Sequence, residues 1–152
     1  PENFAPPQCL TSRQYLGFAR QFNQASVDQS TFLIQELGLE EQLDRPIGKL
    51  SKGFCQRLGL AQAFMGNKQL ILLDEPINGF DLAAQECFWN LLDSRKSDTL
   101  ILFSTHYLEG IQGRCAHVLL LQNHVLHVLT PEEIISRFAR SSGQVFFEEN
   151  LL

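Results

Sequence analysis

The fold of this chain is decided by the stretch Leu70-Ile71-Leu72-Leu73-Asp74-Glu75-Pro76. Four consecutive aliphatic residues predict a short strand that is buried on both faces, as in a parallel sheet. Proline has no N–H to donate to a sheet, so the strand should end there. The two carboxylates then lie at the carboxyl end of the strand, where open α/β sheets bind their ligands. Such a pair suits a hard cation and an activated water, although two solvated acids at a strand end would give the same pattern.

The composition is that of a globular domain without a basic surface. Apolar residues make up 44% of the chain and charged residues 19%, and the net charge is −5. This charge argues against nonspecific binding of nucleic acid or anionic lipid. No apolar run approaches the ~18 residues that a membrane span needs. The first residues do not have the pattern of a signal peptide. The start also lacks a methionine, so we expect a piece of a longer protein. In a reducing compartment its cysteines should be free buried thiols: Cys9, Cys55, Cys87 and Cys115.

Residue spacing predicts helices alone in the first part of the chain and alternating strands and helices after residue 66. Predicted helices cover residues 12–22, 30–37, 52–65, 82–95 and 107–112, with a further helix from Pro131. Predicted strands cover residues 70–73 and 100–103, a hairpin of 117–122 and 125–129 turning at Asn123, and residues 144–148. The alternation indicates an α/β sheet.

Two further motifs carry chemistry. In Leu50-Ser51-Lys52-Gly53-Phe54, a hydroxyl, a glycine and a helix N-terminus together form an anion site, and Lys52 adds a cation. An ordinary helix cap would give the same residues. The segment Asn78-Gly79-Phe80-Asp81 follows the two acids, and His106 follows the next strand, whose carboxyl end lies at the same sheet edge. A single histidine is more often structural than catalytic, so only the combination points to a site.

Taken in order, these motifs resemble an ABC-type ATPase. The chain carries L-S-K-G-F-x-Q-R, then L-I-L-L-D-E-P, then N-G-F-D, then S-T-H. The resemblance covers nearly the whole chain and is similar in detail to ABC-2 type exporters. It implies an α/β fold of the P-loop NTPase class, with a partial parallel sheet, an N-terminal helical subdomain and a C-terminal hairpin. The helical subdomain with the signature loop and helix would span residues 1–66, and the C-terminal part of the ATPase core residues 67–152.

The resemblance also implies roles for individual residues. Asp74 matches the Walker B aspartate that holds Mg²⁺ through water, and Glu75 matches the catalytic glutamate that polarises the attacking water. His106 matches the switch histidine that contacts the γ-phosphate. The signature positions Ser51, Lys52 and Gly53 would bind ATP in trans. The two remaining assignments are Asp81 at the D-loop and Glu2 at the glutamine-loop position, where it would couple the site to a membrane partner.

Several positions depart from the family pattern. Phe54 replaces the usual glutamine of the signature, Ile77 stands where serine or threonine is common, and Leu82 stands where proline is frequent. None of these changes removes a catalytic group. A larger departure is that the sequence contains no G-x-x-x-x-G-K-S/T phosphate cradle. Without that loop, nothing in the chain would hold the β- and γ-phosphates.

The function implied by the resemblance is that of an ATP-binding and ATP-hydrolysing subunit of an ABC transporter, present as a fragment. Its expected partners are a second ABC ATPase domain in a head-to-tail dimer and a transmembrane permease, on the cytoplasmic side of the membrane, and no nucleic acid. Two alternatives remain open: a truncated, non-catalytic interaction module, and a soluble ABC protein of ribosome or DNA-repair type.

Overall fold

A computed structural model describes residues 4–95, 97–106, 111 and 113–139. Its helices are α1 (Ser12–Phe22), α2 (Val27–Glu36), α3 (Lys52–Phe64), α4 (Leu82–Asp93) and α5 (Pro131–Ala139). Its strands are β1 (Leu70–Leu73), β2 (Leu100–Phe103), β3 (Val118–Gln122) and β4 (Val125–Leu129). The chain divides into two compact units, residues 1–105 and 106–152. The predicted boundary at residues 66 and 67 stays a prediction. In the part of the chain that the structure describes, no helix is long and apolar enough to cross a bilayer.

Polar caps determine where the helices begin. The Thr11 hydroxyl accepts a hydrogen bond from the Gln14 N–H, and the Gln14 side chain in turn accepts one from the Thr11 N–H. This capping box satisfies two backbone donors that the first turn of α1 leaves unpaired. Ser26 caps α2 in the same way by accepting from the Gln29 N–H. Because of that cap, α2 begins at Val27 and the predicted start at residue 30 was wrong.

The first unit is built around one apolar core. Helices α1, α2 and α3 bury Leu16, Leu33 and Leu58, which are at most 2% exposed. This core continues to the sheet through Phe88 and Trp89 of α4. The rings of these two residues and of Phe103 on β2 make edge-to-face contacts, with centroids 5.1 to 5.9 Å apart. Such contacts stabilise aromatic pairs by about 0.5–1.5 kcal/mol beyond their burial, and they fix α4 against the sheet.

Strands β1 and β2 pair in parallel, with Leu70 opposite Leu100 and Leu73 opposite Phe103. The predicted burial of β1 holds on one face only among the described residues, and the other face forms an apolar patch. Ile71 is buried, but on the other face Leu72 is 63% exposed and Leu100 is 69% exposed. A sequence this apolar suits a strand covered on both sides, and here only α4 and the neighbouring core cover one of them.

Two aromatic residues of α1 are exposed, Phe18 at 61% and Phe22 at 88%. The expectation that the cysteines are buried was wrong. The four cysteines are free thiols as predicted, but Cys9 is exposed and the others are only partly buried.

The described residues of the second unit form a hairpin followed by a helix. Strands β3 and β4 pair antiparallel, and Asn123 and His124 between them both have positive φ angles of 50° and 63°. Two such residues are the signature of a turn that matches the twist of a hairpin. Thr130 and Glu133 form a reciprocal capping box at the start of α5. The predicted helix over 107–112 and strand over 144–148 lie outside the described residues, apart from residue 111.

Gly66 lies in the turn that connects α3 to β1 and packs against the segment after α1. Its φ is +77°, and a Cβ at this position would lie 2.2 Å from the Asn23 carbonyl oxygen. The Gly66 N–H donates to the Gln29 side chain at 2.9 Å, and the Arg95 guanidinium donates to the Gly66 carbonyl. Only glycine fits a left-handed backbone this close to another chain segment.

We expect Gly66→Ala to lower the free energy of unfolding by about 2–4 kcal/mol, from left-handed strain and overpacking. Gly17→Ala in α1 is the matched control, since a Cβ there meets no atom within 4 Å. That control should raise the stability by about 0.5–1 kcal/mol because alanine favours a helix. Urea unfolding of both variants measures this, and equal effects would contradict the packing described for Gly66.

We also expect the exposed leucine face of β1 and β2 to bind a hydrophobic dye, since monomers rarely expose contiguous apolar patches. The double variant Leu72→Thr/Leu102→Thr should reduce dye fluorescence while keeping residues that favour strands. Leu82→Thr, which changes an exposed leucine at the start of α4, is the control. A monomeric chain that binds no dye would contradict this prediction.

Candidate functional site

The loop before α3 presents an open helix N-terminus. Ser51 is the N-cap of α3, and its Oγ accepts a hydrogen bond from the Phe54 N–H at 3.2 Å. Ser51 and Lys52 are exposed, and a Cβ on Gly53 would meet no atom within 4 Å. A bulky anion can therefore approach the unpaired N–H groups of the first turn without a steric obstacle.

A cleft of about 380 Å³ joins this helix N-terminus to the loop after β1. The residues that line it from the two loops are Ser51, Gly53, Gly79, Phe80 and Asp81. Asp81 is also the N-cap of α4, and its Oδ1 accepts from the Ala84 N–H at 2.8 Å. The structure therefore brings together two of the predicted motifs, and capping hydrogen bonds fix the start of both helices.

The two carboxylates leave β1 in an unusual backbone conformation. Asp74 is exposed and Glu75 is partly buried, and Glu75 has a φ of +43°. A non-glycine residue rarely adopts this region, and such outliers often lie at functional sites. Ser104, just after β2, links the two acids: its Oγ accepts from the Glu75 N–H at 2.8 Å and donates to Asp74 Oδ1 at 2.9 Å.

Three contributors to this region were not assigned a role from the sequence. Besides Ser104, these are Gln56, whose Nε2 donates to the Glu75 carbonyl at 3.3 Å, and Arg57, which donates to the Leu37 carbonyl at 3.0 Å. Arg57 also lies 5.1 Å from the centre of the Phe54 ring, a cation–π distance. Gln56 had a detectable signal, because a polar residue on the same stripe as Leu60 and Phe64 needs a buried partner.

The acids offer oxygen ligands that suit Mg²⁺. This ion binds proteins through one or two carboxylates, keeps several waters and takes its remaining ligands from phosphates. Asp74, Glu75 and the Ser104 hydroxyl supply only oxygen atoms at this edge, which fits that preference. Within residues 4–95, 97–106, 111 and 113–139, there is no group of three or more His, Cys, Asp or Glu residues that could hold a metal ion. Ligands from phosphates and water would therefore be needed to complete a Mg²⁺ site.

One thiol lines the cleft. Burial raises the pKa of Cys87, and the nearby Glu36 carboxylate adds to the rise while Arg57 opposes it. Cys87 is therefore protonated at neutral pH, and it is a weak nucleophile and a poor metal ligand.

Two predicted site residues are not placed with this group. His106 is exposed and belongs to the unit formed by residues 106–152, so its role toward the γ-phosphate stays a prediction. Glu2 lies outside the described residues. The residues that the first unit does bring to its cleft and to the carboxyl end of β1 are Ser51, Gly53, Asp74, Glu75 and Asp81. Lys52 lies beside Ser51 but lines a different pocket.

Comparisons with known proteins agree with this geometry. A family profile described as "ABC transporter" matches residues 4–78. The uncharacterized ABC transporter ATP-binding protein YxlF of Bacillus subtilis is 31% identical over 118 residues, which cover 75% of this chain and 40% of YxlF. The phospholipid-transporting ATPase ABCA3 of Rattus norvegicus is 31% identical over 104 residues, covering 66% of this chain and 6% of ABCA3.

A solved structure of an ATP-binding subunit of an ABC transporter superposes on 94% of this chain with a TM-score of 0.78 and 26% identity. The chain covers 62% of that structure. It therefore spans less than two thirds of the length of each of these relatives.

The strained backbone at Glu75 leads to a prediction about stability. We expect Glu75→Gly to leave the free energy of unfolding unchanged or to raise it by up to about 1 kcal/mol. Removal of left-handed strain, worth about 1–2 kcal/mol, offsets the entropy cost of glycine, about 0.5–1 kcal/mol.

Glu86→Gly on the exposed side of α4 is the matched control, and it should cost about 1 kcal/mol because glycine disfavours a helix interior. Thermal and urea unfolding compare the two. An equal loss in both variants would mean that residue 75 is not strained.

Proposed function

Because the chain belongs to the ABC transporter family of ATP-binding domains, we propose that it supplies the signature loop and the Walker B carboxylates of an ATP-hydrolysing site that drives transport across a membrane. The observation that carries this proposal is the cleft lined by Ser51, Gly53 and Asp81. Asp81 ends the same loop, between β1 and α4, in which the acid pair Asp74 and Glu75 lies. Family members in general hydrolyse ATP. The activity of the protein that carries this chain is part of the proposal.

The chemistry follows from the placement of the polar groups. The open N-terminus of α3, with Ser51, Lys52 and Gly53, binds the γ-phosphate of an ATP molecule held by a partner domain. Backbone N–H groups and a cation suit that anion. Asp74 would hold Mg²⁺, and the ion would supply positive charge that balances the phosphates.

Glu75 acts on the attacking water at the ATP of its own domain, which is a different nucleotide from the one that the signature loop contacts in trans. Its carboxylate orients the water and accepts a proton as the oxygen attacks the γ-phosphorus, while the bond to the β-phosphate oxygen breaks and releases ADP. A positioned general base of this kind contributes about 10²–10⁴ in rate. By the resemblance, His106 is assigned to the γ-phosphate and Asp81 to the D-loop at the junction with the partner domain.

The proposed partners follow from what the sequence holds. We assign the ATP that the signature loop contacts to a second ATP-binding domain in a head-to-tail pair. The G-x-x-x-x-G-K-S/T loop that would hold the ATP served by Asp74 and Glu75 is not among these 152 residues. A transmembrane permease at the cytoplasmic face of the membrane would be coupled to the site through Glu2. It would use the closing of the two ATP-binding domains over ATP to drive transport. The non-catalytic module and the soluble ABC protein are the alternatives, and neither is favoured by a described contact.

We expect the chain by itself to have negligible ATPase activity, because the sequence offers no loop to hold the phosphates. In a domain that also contains the phosphate cradle, paired head-to-tail with a second ATP-binding domain, the chain should support turnover that falls by about 10²–10⁴ in kcat on Glu75→Gln. Asp98→Asn, an exposed carboxylate before β2, is the matched control and should leave turnover unchanged.

Steady-state phosphate release measures the turnover of the chain alone and of the assembled complex. Turnover by the chain alone that disappears on Glu75→Gln would contradict the trans arrangement. Assembled complexes whose turnover does not change on Glu75→Gln would favour the non-catalytic module.

A further inference from the structure

The backbone of Glu75 is unfavourable for two separate reasons. Its φ of +43° lies in the left-handed region, which costs a residue with a side chain about 1–2 kcal/mol. Its successor is Pro76, and a residue before proline is pushed toward extended conformations by the proline ring. A conformation of this kind persists only when the surroundings impose it.

Side chains from two other elements supply that restraint. The Glu75 N–H donates to Ser104 Oγ at 2.8 Å, and the Glu75 carbonyl accepts from Gln56 Nε2 at 3.3 Å. The N–H and the carbonyl of Glu75 are therefore both held in place. Ser104, just after β2, binds the N–H, and Gln56 of α3 binds the carbonyl. Gln56 is itself buried, so its amide cannot turn to solvent as an alternative.

Ser104 is in turn fixed by its own bonds. Its N–H donates to the Leu73 carbonyl at 3.0 Å, which extends the pairing of β1 with β2 by one residue. Its hydroxyl hydrogen goes to Asp74 Oδ1, so a single hydroxyl accepts from one acid residue and donates to the other. Hydrogen bonds in such a chain strengthen one another, and the two neighbouring residues are oriented together.

We propose that Ser104 and Gln56 are positioning residues that impose the left-handed conformation on Glu75 and thereby aim its carboxylate away from the path that an extended strand would give it. The catalytic significance of this arrangement rests on the function proposed above; the conformational part does not. A side chain with a hydroxyl at position 104 and a side chain with an N–H donor at position 56 are the chemical requirements.

The test compares Ser104→Ala with Ser104→Thr in the whole chain, by NMR. In Ser104→Ala we expect the Glu75 amide to exchange with solvent about fivefold faster or more, the change expected from a lost hydrogen bond. The coupling constant between the amide and α protons of residue 75 should move toward the value of an extended residue. Ser104→Thr keeps the hydroxyl and should restore both signals.

Thr99→Val is the matched control. The Thr99 hydroxyl donates to the Lys68 carbonyl at 2.9 Å at the opposite end of the same strand pair. Its loss should destabilise the sheet while leaving the signals of residue 75 as they are. Gln56→Met, which fills a similar volume without a donor, should shift residue 75 in the same direction as Ser104→Ala. Amides of α3 near Leu58 report whether each variant stays folded.

The outcomes separate this proposal from the proposed function. Signals of residue 75 that are unchanged in folded Ser104→Ala and Gln56→Met would overturn the positioning role, whatever the activity. If they shift as expected and the assembled protein loses kcat at constant KM in Ser104→Ala but recovers it in Ser104→Thr, the catalytic part holds as well. If they shift while Glu75→Gln has no effect on turnover, the positioning role stands and the ATPase function fails.

Discussion

The parallel pairing of β1 with β2 is the constraint on which the site depends. Its register places Leu73 opposite Phe103, so the next residue of each strand leaves the sheet at the same edge. Asp74 and Ser104 thereby come within hydrogen-bond distance, although thirty positions separate them in the chain. The packing of α4 on this strand pair, through Phe88 and Trp89, holds the edge in place.

Within the first unit, the proposed functional groups come from two different parts of the structure. The helical part presents a rigid N-terminus at Ser51, and the strand edge presents the carboxylates at Asp74 and Glu75. Gln56 connects the two, because it lies one turn into α3 and donates to the Glu75 carbonyl. A shift of α3 against the sheet would therefore move or break the hydrogen bond to the backbone of Glu75, the proposed general base. The helical layer is thus linked to the proposed catalytic residue by a direct contact.

Much of the architecture was predictable because it depends on local signals. Asp81 and the Thr130–Glu133 pair carry cap chemistry that can be recognised from a few neighbouring residues, and both helices begin where expected. The α/β fold of the ABC type was expected from the order of the motifs and is confirmed by the likeness to an ATP-binding subunit of an ABC transporter. The start of α2 was missed because Ser26 lies within the mostly polar stretch 23–29, which resembles a loop.

What could not be predicted depends on contacts between distant segments. The role of Ser104 requires the register of a parallel pair, and the exposure of Phe22 depends on which surfaces other elements cover. Neither is encoded in residue spacing. The assignments of His106 and Glu2 remain predictions from the resemblance, as does the division at residues 66 and 67.

The central claim is that this chain closes its signature loop over ATP held by another domain. The most direct measurement is the chemical shift of the Ser51, Gly53 and Asp81 amides when a P-loop-bearing ATP-binding domain is added, with and without bound ATP. The account predicts that these three amides shift only with the ATP-loaded domain, and that amides of the hairpin β3–β4 do not. Signature amides that are unaffected by the ATP-loaded domain at saturating concentration would contradict it.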